Sequence, residues 1–176
     1  MPLMPPDHSS MEKTALLSDC TKYRYRLGRR WDDREQVLFI MLNPSTADAN
    51  MDDPTIRRCI GFAKAWGYGG MQVGNLFPFR SPKPMELLNA GSPHTDENLD
   101  HLGLMAAECA AVVCAWGNGE IVRRLMSRVG PYDPIAGIEK PLNYIELCKD
   151  GTPKHPLYLK GGLELKPLDP KGISWR

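Results

Sequence analysis

The chain has 176 residues, 42% of them hydrophobic and 24% charged, with a formal net charge of +1. That is room for one domain with a substantial core; it is too apolar for disorder and lacks the global basic charge of a protein that coats nucleic acid. The five cysteines form no CxxC pair, the first residues lack the blocks of a signal peptide, and no apolar run nears the roughly 20 residues that span a bilayer, so the expectation is a cytoplasmic protein with no membrane partner.

Residues 1–13 are rich in Met, Pro and polar side chains and read as a flexible tail ahead of a single α/β domain over 14–176. Tyr23, Tyr25 and Leu27 alternate with Arg24 and Arg26, the period of a half-buried strand. Val37 to Leu42 is continuously apolar, as in a strand covered on both faces, and it stops at Asn43-Pro44 because proline cannot donate to a ladder. Asp53-Pro54-Thr55 reads as a helix start, with an acidic cap and proline in the first position, and Gly67 ends that helix. Met71 to Gly74 is a second apolar strand, broken by Asn75-Leu76-Phe77-Pro78-Phe79-Arg80. A short helical stretch before Asn89, a helix over Asp96 to Glu108, a buried strand over Ala110 to Trp116 and a helix over Glu120 to Val129 follow. The pattern then weakens, with a strand expected at Tyr144 to Cys148 and a turn at Asp150-Gly151.

Apolar strands alternating with helices predict a three-layer α/β/α sandwich with a short, mainly parallel central sheet. Ligands of such sheets bind beyond the carboxyl ends of the strands, which nominates the breaks at Asn43, Asn75 and Gly117.

Three segments there carry usable chemistry. Asn43, Ser45, Thr46 and Asp48 place an amide, two hydroxyls and a carboxylate in six residues; the Asn can orient a water, the hydroxyls can meet a phosphate, and a loop satisfying its own backbone is an equal alternative. Asn75 can read a planar amide-like ring through a donor and an acceptor, with Phe77 stacking on it, although either Phe also suits a core. His155, flanked by Lys154 and Pro156, can donate to a leaving group or can be a surface histidine. Asp48, Asp52 and Asp53 resemble a hard-metal cluster, but Asp53 is explained as a cap and nothing completes a shell, so no metal is expected. Arg57, Arg58 and Arg80 are candidates for phosphate contacts.

Taken together, Leu42 to Asp48, Asp53 to Arg58, Trp66-Gly67-Tyr68, Asn75 to Arg80, Ala115-Trp116-Gly117 and Lys154 to Tyr158 resemble a bacterial and phage family known as domain of unknown function 1643. More distantly, the order of motifs is similar to the uracil-DNA glycosylase superfamily. That likeness implies a uracil-DNA-glycosylase-like fold, with Asn43 positioning the attacking water, Asn75 reading a flipped base and His155 stabilising the departing base. Met41 stands where that superfamily has Gly, and Leu157 follows His155-Pro156 where it has Ser, so the implied substrate is a modified or damaged base. The expected function is hydrolysis of an N-glycosidic bond in DNA without metal or organic cofactor. An enzyme on a free nucleotide or nucleoside, and a non-catalytic nucleic-acid-binding or phage-accessory module, are the alternatives.

Overall fold

The computed structural model describes residues 10–173 and 175. Its sheet has seven strands in the order β1-β2-β4-β3-β5-β6-β7. They are β1 (Glu12–Leu17), β2 (Arg24–Arg30), β3 (Gln36–Met41), β4 (Gly70–Asn75), β5 (Ala111–Cys114), β6 (Leu142–Tyr144) and β7 (Lys166–Leu168). The sheet is not short, and it is mixed rather than mainly parallel. β4, β3, β5 and β6 run parallel, while β1, β2 and β7 pair antiparallel at the two sides.

Three helices, α1 (Pro54–Ala65), α2 (Asp96–Glu108) and α3 (Gly119–Arg128), bury their apolar stripes on this sheet. The strand period divides the packing into two cores. Val37, Phe39 and Met41 of β3 meet Ile56, Cys59 and Phe62 of α1. Leu38 and Ile40 meet Leu102 and Met105 of α2 and Leu125 of α3. Helices therefore cover both faces. Cys59, Cys109 and Cys114 are buried core thiols, and burial pushes Cys109 up to about 12.

The tail boundary expected at residue 13 falls inside β1, whose first residue is Glu12, and residues 1–9 lie outside the described ones. β6 also sits earlier than the Tyr144 to Cys148 strand expected. Leu142 is its one buried residue, so a three-residue strand leaves almost no apolar signal.

One irregularity matters for the site. Leu16 pairs with Arg26 and Leu17 with Arg24, which leaves Tyr25 as an extra residue in β2. Tyr25 and Arg26 consequently both reach His101 on α2, by ring stacking and by a 2.9 Å hydrogen bond. Arg24 is thrown to the α1 side with Leu27 and Arg29.

Gly61 lies in the exposed interior of α1, and a Cβ there would meet nothing within 4 Å. Gly61→Ala is expected to raise unfolding free energy by about 0.5–1 kcal/mol, seen as a higher urea midpoint at unchanged slope, since it removes only backbone freedom.

Candidate functional site

β3 leads into α1 on one face of the sheet, and β5 leads into α3 on the other. A crevice opens where two such connections diverge. It is occupied by a cleft of about 310 Å³, walled by Leu42, Asn43, Ser45 and Thr46 after β3 and by Trp116 and Asn118 after β5. Asp53, Pro54 and Thr55 at the start of α1, Ser81, Pro82 and Pro84 beyond β4, and His155, Leu157 and Tyr158 complete it.

Asn43 is fixed by its amide nitrogen. Nδ2 donates to the carbonyls of Pro44 and Ser81, each at 3.0 Å, and of Phe79 at 3.4 Å. The Ser81 N–H returns a bond to Pro44 O at 2.9 Å, so the loops after β3 and β4 are zipped together. With its hydrogens committed, the polar atom Asn43 offers the cleft is Oδ1, which accepts no hydrogen bond among the described residues and is not shut away from solvent. Ser45 and Thr46 continue the same wall, half-buried and exposed.

The segment bearing His155 is held against β5 by close backbone packing. Gly117 has φ +59°, and its N–H donates to Pro153 O at 2.9 Å. A Cβ on Gly117 would lie 3.1 Å from that of His155, and one on Gly119 would lie 2.2 Å from Thr152 Oγ1. Small residues are needed at both places for the His155 loop to reach the cleft. His155 Nδ1 accepts from the Leu157 N–H at 3.3 Å, which leaves Nε2 to carry the ring proton of the neutral imidazole.

Asp53 joins these groups in the cleft wall, a role the sequence reading did not give it. One carboxylate oxygen caps α1, accepting from the Ile56 N–H at 2.9 Å, as the Asp53-Pro54 pair predicts. The same residue lines the cleft, and its second oxygen accepts no hydrogen bond among the described residues. Burial lowers the pKa of His155 below its ordinary 6.5, and the Asp53 carboxylate opposes that shift. In the folded state His155 therefore binds a proton less readily than in the unfolded chain. Its contribution is intact above pH 6.5 and is lost as pH falls below that value. The melting temperature is expected to drop as pH goes from about 7 toward 5, with a smaller drop in His155→Gln, measured by scanning calorimetry.

Two basic residues brace the wall from behind. Arg29, fully buried, donates from Nε to Asp52 Oδ1 at 2.7 Å and from its terminal nitrogens to the carbonyls of Asp48, Met51 and Gly28. Arg24, also buried, donates to Ala47 O at 2.7 Å, and burial lowers its pKa to about 10. Asp48 and Asp52 are thus committed to shaping the 43–53 loop, and no group of three metal-ligating residues occurs among the described residues.

Of the residues nominated from sequence, Asn43, Ser45, Thr46 and His155 meet in this one cleft. Asn75 and Phe77 do not line it. Asn75 ends β4 with its side chain buried, its Nδ2 has no partner among the described residues, and Asn98 donates to its backbone carbonyl. Phe77 is fully buried in the α2–α3 core, its ring 5.8 Å from that of Tyr132. Arg57 and Arg58 lie along α1, donating to the carbonyls of Asp52 and Leu159, and Arg80 donates to Thr21 O. Missing from the sequence reading were Asp53 as a cleft residue and the pair Leu157 and Tyr158, 41% and 81% exposed at the mouth beside His155. Their position directly after His155-Pro156 was the available signal.

No helix among the described residues is long and apolar enough to cross a membrane. Comparison with known families matches residues 24–157 to the family described as protein of unknown function (DUF1643), which is most of the chain, and the chain belongs to that family. No curated protein and no solved structure matches it.

Proposed function

We propose that this member of the DUF1643 family hydrolyses the N-glycosidic bond of a modified or damaged base in DNA, on a uracil-DNA-glycosylase-like three-layer fold. The observation that carries the reading is the meeting of Asn43, Asp53 and His155, far apart in the chain, on the walls of one cleft. The parallel centre of the sheet and helices on both faces agree with the proposed fold.

The chemistry assigns one task to each group. Asn43 Oδ1 accepts a hydrogen from water and aims its oxygen at the sugar C1′. As the C1′–N bond breaks, its electron pair leaves with the base, and the Nε2–H of His155 donates to the charge developing there. The water oxygen bonds C1′, and the free oxygen of Asp53 takes its proton. A neutral imidazole suits this task, because it donates without first having to be charged. Asn75 and Phe77 lie outside the cleft, so base selection falls to Ser45, Thr46, Thr55 and Asn118 on its walls.

Leu157 and Tyr158 favour DNA. Exposed apolar and aromatic side chains beside the catalytic histidine can fill the stack vacated by an extruded base, where such contacts are worth about 1–3 kcal/mol each. A free nucleoside or nucleotide is the second reading, favoured because no Lys or Arg stands among the described residues that line the cleft. Incubating the protein with DNA carrying deaminated, oxidised or alkylated bases, and in parallel with the matching nucleosides, separates the two by mass spectrometry of free base. Release from DNA supports the first reading, release from nucleosides alone supports the second, and release from neither leaves a non-catalytic module.

A further inference from the structure

A second concavity lies along α1, beyond the first residues of the helix that line the cleft. It has a volume of about 220 Å³ and is lined by Arg57, Arg58, Gly61, Phe62 and Ala65 of α1 and by Gly161 and Gly162 opposite. Pro54 and Thr55 of the cleft lie one helical turn earlier on α1, about 6 Å by the helix rise. Leu157 and Tyr158 of the cleft lead directly into the opposite wall. That wall is anchored at both ends, by Arg58 donating to Leu159 O and by Trp66 Nε1 donating to Leu163 O at 2.9 Å.

The lining has the composition of an anion site. A Cβ at Gly61, Gly161 or Gly162 would meet no atom within 4 Å, so the groove is bare where side chains would otherwise fill it. Among the described residues, the N–H groups of Gly161 and Gly162 donate to nothing. Among the described residues neither Arg57 nor Arg58 has an acidic partner in an ion pair, and each gives one bond to a carbonyl out of the five N–H donors a guanidinium carries. Arg58 is also steadied on the Phe62 ring, 5.2 Å from its centroid, and its Nε is buried without a partner. Two positive charges without counter-charges, beside free backbone donors, match a tetrahedral dianion or a phosphodiester.

We propose that this groove seats a phosphate group of the substrate whose base enters the cleft, giving the enzyme the phosphate contact that the cleft itself lacks. The inference rests on the nucleobase reading of the cleft, and its test is separate from base release. Gly61 is the position to alter, because it is exposed, helical and unencumbered, and a glutamate there puts a carboxylate into the groove without disturbing the fold. Binding of a short fluorescein-labelled single-stranded oligodeoxynucleotide is read by anisotropy, and stabilisation by inorganic phosphate is read by thermal shift. Gly61→Glu is expected to weaken oligonucleotide binding about tenfold or more, as for loss of one charge-assisted contact, and to reduce the log–log salt slope by about one unit. Leu104→Glu, which adds the same charge on exposed α2 away from the groove, is expected to bind as the parent does. Phosphate stabilisation abolished by Gly61→Glu, without oligonucleotide binding, upholds the site and assigns it to a free nucleotide. Equal responses of parent and Gly61→Glu, or no response to either probe, overturn the proposal. Groove-dependent binding without base release would sink the glycosylase reading alone; base release with Gly61→Glu binding as the parent would sink the groove alone.

Discussion

His155→Ala is expected to slow single-turnover base release by about 10²–10³-fold while leaving substrate affinity within a few-fold, the cost of removing one preorganised donor from a partly dry site. The size of the effect follows from the way the ring is held. Nδ1 is engaged by the Leu157 N–H, Gly117 lets the His155 backbone press against the loop after β5, and burial favours the neutral imidazole, so the ring is held in the orientation and protonation that the proposed donation requires. His155→Gln, which retains a donor at similar reach, should recover part of the loss. A simple loss of packing would not be rescued that way. Asn43→Ala is expected to slow release as well, and the double variant should be little worse than the slower single one, because the two act on one bond-breaking event. Loss of affinity with an unchanged rate in His155→Ala would remove the histidine from the chemistry.

Arg29→Met is expected to lower stability by about 3 kcal/mol and to abolish base release with it. Arg29 is fully buried and holds Asp52 and four backbone carbonyls, those of Thr14, Gly28, Asp48 and Met51, the last two in the loop that carries Asn43 and Asp53. Breaking a buried ion pair from one side costs about 3–5 kcal/mol, because the other charge stays behind. The lower figure applies because Asp52 retains 17% exposure and its 3.1 Å contact with Lys13. Methionine fills much of the volume, so the effect reports the lost donors more than a cavity. A urea titration measures it, and a change under about 1 kcal/mol would mean that the loop is shaped without Arg29.

How much of this was legible in the sequence varied with burial. The three central strands, β3, β4 and β5, announce themselves because all but one residue of each is buried. α2 was legible to its ends, since Thr95 caps it and its apolar residues keep helical spacing. β1 and β7 were not, because both are largely exposed and present no buried face to alternate against. Their antiparallel pairing is what made the sheet wider and more mixed than expected.

The site shows the same division. Asn43 and His155 were legible because proline beside each marks a strand end or rigid loop. Asn75 and Phe77 looked equivalent to them in one dimension. Whether a residue just past a strand end turns into the cleft or into a core is decided by the pleat and by Asn98 and Tyr132, which come later in the chain and bond the carbonyls of Asn75 and Leu76. Asp53 was hidden for the opposite reason. Its cap role explained it fully, and only the fold reveals that the capped end of α1 opens on the cleft.

The most direct test of the central claim follows the oxygen of the attacking water. A reaction on a modified-base oligonucleotide, run in heavy-oxygen-labelled water, is analysed by mass spectrometry of both products. Attack at C1′ by water held on Asn43 predicts one labelled oxygen in the abasic sugar and an unlabelled free base. Label in the base with the glycosidic bond intact, or no cleavage of any substituted base by a protein that binds the oligonucleotide, would contradict it.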